Sequence, residues 1–165
     1  MPENKKKICI ICDTREPSGL YMFKKFKDVF IIRDNLTCGD FSVFPYGDSE
    51  FFIERKTIAD LSSSFTSGRE RFEAEWKRAN PDAQKTLLVE GGGFVDILTG
   101  NYRSNFNPAS FLGSLFSWSM KYKFNIIFVS NSAEGQIAVY WLCREFLRQK
   151  KLQEAKNDSI ISSKE

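Results

Sequence analysis

The chain has 165 residues, 42% of them apolar and 15% aromatic, with Phe alone at 16, which is a globular composition long enough for one domain with a real core. No stretch of about 18 uncharged apolar residues occurs, and the start, Met-Pro-Glu-Asn-Lys-Lys-Lys, leads into only a short apolar run before Asp13 and Arg15, so neither a membrane span nor a secretory signal is expected. The net charge of +3 permits a polyanionic partner without demanding one, and the absence of histidine excludes Ser-His-Asp and Cys-His nucleophile systems, His-metal finger nucleases and nearly every catalytic zinc site.

Any catalysis must therefore rest on carboxylates, lysine, cysteine or a hard metal. A cytoplasmic location is expected, with Cys9, Cys12, Cys38 and Cys143 as reduced thiols.

In chain order, Ile8 to Cys12 reads as a buried strand ending at Asp13, and Thr14 to Gly19, with Pro17 and Gly19, as a loop. Val29 to Ile32 and Phe41 to Phe44 are further strands, the latter closed by Pro45 and the turn Tyr46-Gly47-Asp48. Phe51 to Lys56 is a fourth, forming a hairpin with the third. Thr57-Ile58-Ala59-Asp60 fits a capping box that opens a short helix, and Ser67-Gly68-Arg69-Glu70 fits another, opening a helix that runs to about Ala79 and stops at Asn80-Pro81-Asp82. Thr86 to Val89 is a fifth strand, followed by Gly91-Gly92-Gly93 and a short helix near Phe94 to Leu98. Asn107-Pro108 starts a helix that reaches about Tyr122, Ile126 to Val129 is a sixth strand, and a last helix runs from about Ala133 to Gln149. Residues 1–150 read as one domain and 151–165 as a polar, flexible tail. The order of elements predicts an α/β fold, a central mixed sheet of about six strands flanked by helices.

Alternation along the fourth strand points Phe52, Glu54 and Lys56 to one face and Phe51, Ile53 and Arg55 to the other. Asp40 follows Gly39 at the start of the hairpin partner, where antiparallel pairing brings it beside Glu54. Two carboxylates and an ammonium then converge. Mg²⁺ is held by one or two carboxylates plus waters and substrate oxygens, so Asp40 and Glu54 are the expected ligands. Lys56 is placed to orient or help deprotonate an attacking water and to offset charge developing on a phosphate.

Gly39-Asp40, a gap, then Glu54-Arg55-Lys56-Thr57-Ile58-Ala59-Asp60 resembles the signature of XPF-type structure-specific endonucleases. Cys12-Asp13-Thr14-Arg15-Glu16 is similar to that family's first strand, and Ser67-Gly68-Arg69 to the element opening its next helix. The blocks follow in order over most of residues 8–147. The resemblance implies a restriction-endonuclease-like core and Mg²⁺- or Mn²⁺-dependent DNA cleavage near junctions, flaps or forks, in repair, recombination or phage DNA processing, in the cytoplasm, nucleoid or nucleus. It also makes Asp13 a further catalytic and metal-binding acid, Arg15 and Glu16 its neighbours, and Arg55 and Arg69 candidate phosphate contacts. The family's helix-hairpin-helix modules have no match here.

Other readings stand beside these. Asp60 is explained by the capping box alone. Arg55 points away from Glu54 and fits a brace for Asp13, Glu16 or Asp60. Arg69, a cation at a helix N-terminus, calls for a compensating anion. Cys9-x-x-Cys12 falls on opposite strand faces and lacks a second pair, and the three glycines are not followed by Lys-Ser/Thr, which excludes a P-loop. The helices 108–122 and 133–149 carry more apolar residues than one core stripe needs, Phe116, Met120, Ile137 and Trp141 among them. Full burial is one reading; a homodimer or heterodimer through these helices is the other, which the resemblance supports. Two alternatives to an active nuclease of this type are a catalytically silent DNA-binding partner subunit of the same fold and a restriction-like or recombination nuclease.

Overall fold

A computed structural model describes residues 7–162. Six strands, β1 (Ile8–Asp13), β2 (Val29–Asp34), β3 (Phe41–Val43), β4 (Phe51–Thr57), β5 (Gln84–Glu90) and β6 (Phe124–Val129), form one sheet in the order β2-β1-β3-β4-β5-β6. β1 pairs in parallel with β2 and antiparallel with β3, β3 antiparallel with β4, and β4, β5 and β6 run parallel. This is the mixed sheet that the alternation of elements predicts. The turn after β3 gives an antiparallel return, helical crossovers join the parallel β4, β5 and β6, and the loop 14–28 joins the parallel β1 and β2.

Two cores cover the two faces, and strand alternation divides the side chains between them. Phe52, Leu87 and Val89 pack with α1 (Ile58–Phe65), α2 (Arg69–Arg78), α3 (Phe94–Thr99) and α4 (Pro108–Tyr122). Trp76 stacks on Phe124 at 4.3 Å, and Phe72 on Trp118 at 5.3 Å. On the other face Phe51, Ile53 and Leu88 meet α5 (Ser132–Ser162) and the segment around Tyr21 and Phe23. There Phe51 stacks on Phe146 at 4.7 Å. Gly135 lets α5 sit down on this segment, since a Cβ at that position would lie 1.9 Å from the Tyr21 hydroxyl.

Three expectations change. The helix after Ser67 has no side-chain cap: Gly68 is its N-cap, and the Gly68 N–H goes back to the Ser63 carbonyl at 3.0 Å. In the tight turn from α1 to α2 the Arg69 N–H likewise donates back, to the Thr66 carbonyl at 3.3 Å. The last helix does not stop near Gln149 but continues to Ser162, through a stretch rich in Lys, Leu, Gln, Glu and Ala that contains neither Gly nor Pro. Full burial of α4 and α5 also fails: Phe111, Leu115, Trp118, Val139 and Phe146 are buried, whereas Phe116, Met120, Ile137 and Trp141 are exposed. No helix among the described residues is long and apolar enough to cross a membrane.

Candidate active site

The site begins with a glycine. Gly39 has φ +78°, a conformation that side chains disfavour, and a Cβ there would lie 2.6 Å from Phe52 Cδ2. Glycine therefore lets the chain entering β3 lie directly on β4. The Asp40 N–H donates to the Ile53 carbonyl at 2.8 Å, and Asp40 Oδ2 accepts the Arg55 N–H at 2.7 Å. Phe41 is in register with Ile53, so Asp40 stands opposite Glu54 on the same face. Lys56, two residues along that face, donates to Glu54 Oε1 at 3.0 Å, and its ammonium lies 4.6 Å from the Phe72 ring centre.

Asp40 and Glu54 line a cavity of about 130 Å³ together with Arg15, Cys38, Glu75 and Arg78. Its electrostatics are unusual for carboxylates. Burial raises the Asp40 pKa well above the ordinary range, and the charges of Glu54 and Glu16 add to this. Burial also raises Glu54, against the pull of Lys56. Two carboxylates facing each other away from water are a donor set suited to a hard dication, which would relieve both desolvation and repulsion. Among the described residues no group of three or more His, Cys, Asp or Glu side chains is placed to hold a metal ion.

Asp13 ends β1 beside Asp40, its N–H donating to the Asp40 carbonyl at 2.8 Å. Its carboxylate is fully buried and already holds four donors: the Arg15 N–H at 2.8 Å, Arg15 Nε at 2.6 Å, Arg15 Nη2 at 3.0 Å and the Leu36 N–H at 2.8 Å. Burial alone would raise this carboxyl, but the Arg15 and Leu36 donors hold it below its ordinary value. In the structure the Asp13 carboxylate clamps Arg15, whose guanidinium reaches the cavity.

The opposite face of β4 carries the brace. Arg55 Nε donates to Glu16 Oε2 at 3.0 Å, and its Nη1 contacts Glu90 Oε2 at 3.4 Å, while the Tyr21 hydroxyl donates to the same Glu90 oxygen at 2.8 Å. Of the two readings for Arg55, the structure supports the brace, with Glu16 as partner. Asp60 is exposed; its N–H donates to the N-cap Thr57 Oγ1 at 3.1 Å, and its Oδ2 accepts from the same hydroxyl at 2.7 Å. Arg69 lies 5.2 Å from the Trp118 ring centre, a cation–π contact. Neither Asp60 nor Arg69 lines the cavity. Sequence reasoning missed Glu75, Arg78 and Cys38 at the cavity, and Glu90 and Tyr21 behind it. Only Glu75 left a signal, a carboxylate within the buried stripe Phe72, Trp76, Ala79 of α2.

A carboxyl with a raised folded-state pKa favours the folded state while protonated. That contribution is present at low pH and is lost as pH rises through the raised value. At pH 8 without metal, Asp40→Asn, whose amide oxygen can still accept the Arg55 N–H, is expected to melt a few degrees above the wild type. The difference is expected to shrink as pH falls; melting curves from pH 5 to 8 with a chelator check it.

Comparison with known proteins adds the following. The family model described as "ERCC4 domain" matches residues 12–142. The structure of XPF from Aeropyrum pernix in complex with DNA superposes with a TM-score of 0.66 at 20% identity, covering 87% of this chain and 66% of that one. XPF from Aeropyrum pernix in a second structure gives 0.65 at 20% identity, over 90% and 69% of the two chains. The chain thus spans about two thirds of the length of these XPF chains, and at this identity the likeness establishes a shared fold, as expected of the six-stranded mixed sheet. No curated protein sequence matches the chain.

Proposed function

Because the chain belongs to the ERCC4 domain family, we infer that it is a divalent-metal-dependent DNA endonuclease that hydrolyses phosphodiester bonds with Mg²⁺ or Mn²⁺, at branched, flap or fork structures, in repair, recombination or phage DNA processing. The observation that carries this reading is the meeting of Asp40 and Glu54 in one cavity, with Lys56 3.0 Å from Glu54.

Asp40 and Glu54 would hold the cation, which would supply polarisation of the phosphate and activation of water near neutral pH. Lys56 is held by Glu54 on one side and by the Phe72 ring on the other, so its ammonium is pre-positioned to orient the attacking water and to offset charge on the phosphate. Arg15, fixed by Asp13 and exposed, offers its remaining N–H groups to a phosphate oxygen. Arg55 acts from behind by fixing β4, with Glu16 as its partner. Asp60 caps α1, and Arg69 is a phosphate contact outside the cavity. The exposed apolar side chains of α4 and α5 support a dimer through these helices. No feature of the cavity favours the silent-subunit alternative, since both carboxylates and the lysine are in place.

The test is a cleavage assay on flap, fork, duplex and single-stranded DNA, each with Mg²⁺, Mn²⁺ or a chelator. Metal-dependent cutting, strongest on the branched substrates, is expected. Absence of metal-dependent cutting on every substrate would overturn the enzyme reading. Equal cutting of all substrates would remove the junction preference, which rests on the family alone.

A further inference from the structure

Asp40 and Glu54 do not account for the whole of their cavity. Its α2 wall carries Glu75, which nothing in the proposed reaction uses. α2 packs on the sheet through buried Phe72 and Trp76, with Ala79 after its last turn, and Glu75 lies three residues after Phe72 and four before Ala79, on the face turned to the sheet. The helix is tied at this point, the Cys38 thiol donating to the Glu75 carbonyl at 3.8 Å. The Glu75 charge is near enough to oppose ionisation of both Glu54 and Cys38.

Two groups on this wall are unmatched. The Glu75 carboxylate takes no hydrogen bond or ion pair from the described residues. Beside it, Trp76 Nε1 is the one buried side-chain polar atom among the described residues without a hydrogen-bond partner, and Trp76 lines the same cavity. An unpaired buried donor such as Trp76 Nε1 is costly, and the half-buried Glu75 carboxylate is open to water. A donor and an acceptor left over on adjacent residues are both satisfied by ordered water, which donates to the carboxylate and accepts from the indole. Direct ligation by Glu75 is disfavoured, because no three acidic or cysteine side chains among the described residues are placed to hold one ion. Mg²⁺ keeps several waters and takes only one or two carboxylates.

We propose that Glu75 is a positioning residue for the hydrated cation: Asp40 and Glu54 ligate it, and Glu75 accepts hydrogen bonds from its water shell on the α2 side of the cavity. This rests on the metal reading of Asp40 and Glu54. Partners of this kind alter metal affinity by about 10- to 100-fold.

Calorimetric titration of the full chain with MnCl₂, without DNA, tests it. Glu75→Gln is expected to weaken Mn²⁺ binding about tenfold, and Glu75→Asp, which keeps the charge but shortens the reach, by less. Glu73→Gln is the control: Glu73 lies on the same helix but is paired with Lys121 at 2.7 Å, and its loss is expected to change the affinity less than twofold. Melting curves without metal establish that each variant is folded. Wild-type affinity in Glu75→Gln, with binding lost in Asp40→Asn and Glu54→Gln, would overturn the role of Glu75 and leave the metal site standing. Unchanged affinity in Asp40→Asn and Glu54→Gln would overturn the metal site itself. Equal losses in Glu75→Gln and Glu73→Gln would reduce the effect to bulk charge, and a loss as complete as that of Glu54→Gln would make Glu75 a direct ligand; either result overturns the proposal.

Discussion

Replacing Glu54 with alanine is expected to lower kcat/KM for metal-dependent DNA cleavage by about a thousandfold, roughly 4 kcal/mol of transition-state stabilisation. Two losses combine. The cation loses one of the two carboxylates that line the cavity, and Lys56 loses the acceptor that holds it at 3.0 Å. The change also leaves the Lys56 ammonium, 15% exposed, without its partner, so melting curves of the metal-free variant accompany the assay to separate lost chemistry from lost structure. Cleavage unchanged from the wild type would remove Glu54 from the site.

The largest effect on stability is expected from Arg55→Ala. The Arg55, Glu16 and Glu90 side chains are only 12%, 9% and 13% exposed. Removing the guanidinium leaves two carboxylates in the core with no cation, a defect that costs about 3–5 kcal/mol. For a domain of this size that is a fall in Tm of about 6–20 °C. Arg55→Lys is expected to recover only part of it, because a point charge cannot span Glu16 and Glu90 as the planar fork does. Combining Arg55→Met with Glu16→Gln and Glu90→Gln is expected to restore more of the loss, since the charges are then removed together. Thermal melts of the three variants check this, and an Arg55→Ala protein as stable as the wild type would contradict the brace.

The meeting of Asp40, Glu54 and Lys56 was legible in the sequence because it depends on local rules. Strand alternation puts Glu54 and Lys56 on one face, and a short turn fixes which residue of β3 faces Glu54, so Asp40 could be placed from neighbours alone. The six-strand mixed sheet followed from element order in the same way. What could not be read depends on contacts between residues distant in the chain. The hydrogen bonds of Asp13 come from Leu36 and the folded-back Arg15, which no local pattern announces. The partners of Arg55 come from β5 and from the loop after β1, and only the folded sheet brings Glu90 and Tyr21 to it. Glu75 could have been noticed as an acid in an apolar helical stripe, but nothing local says that the stripe borders a cavity.

The central claim is that Asp40 and Glu54 together hold the divalent cation. Its most direct test is an anomalous difference map from crystals of the protein soaked in MnCl₂. A single strong peak within coordination distance of both carboxylates, absent from crystals of Glu54→Ala, is predicted. A peak elsewhere in the molecule, or none at this pair, would contradict the account.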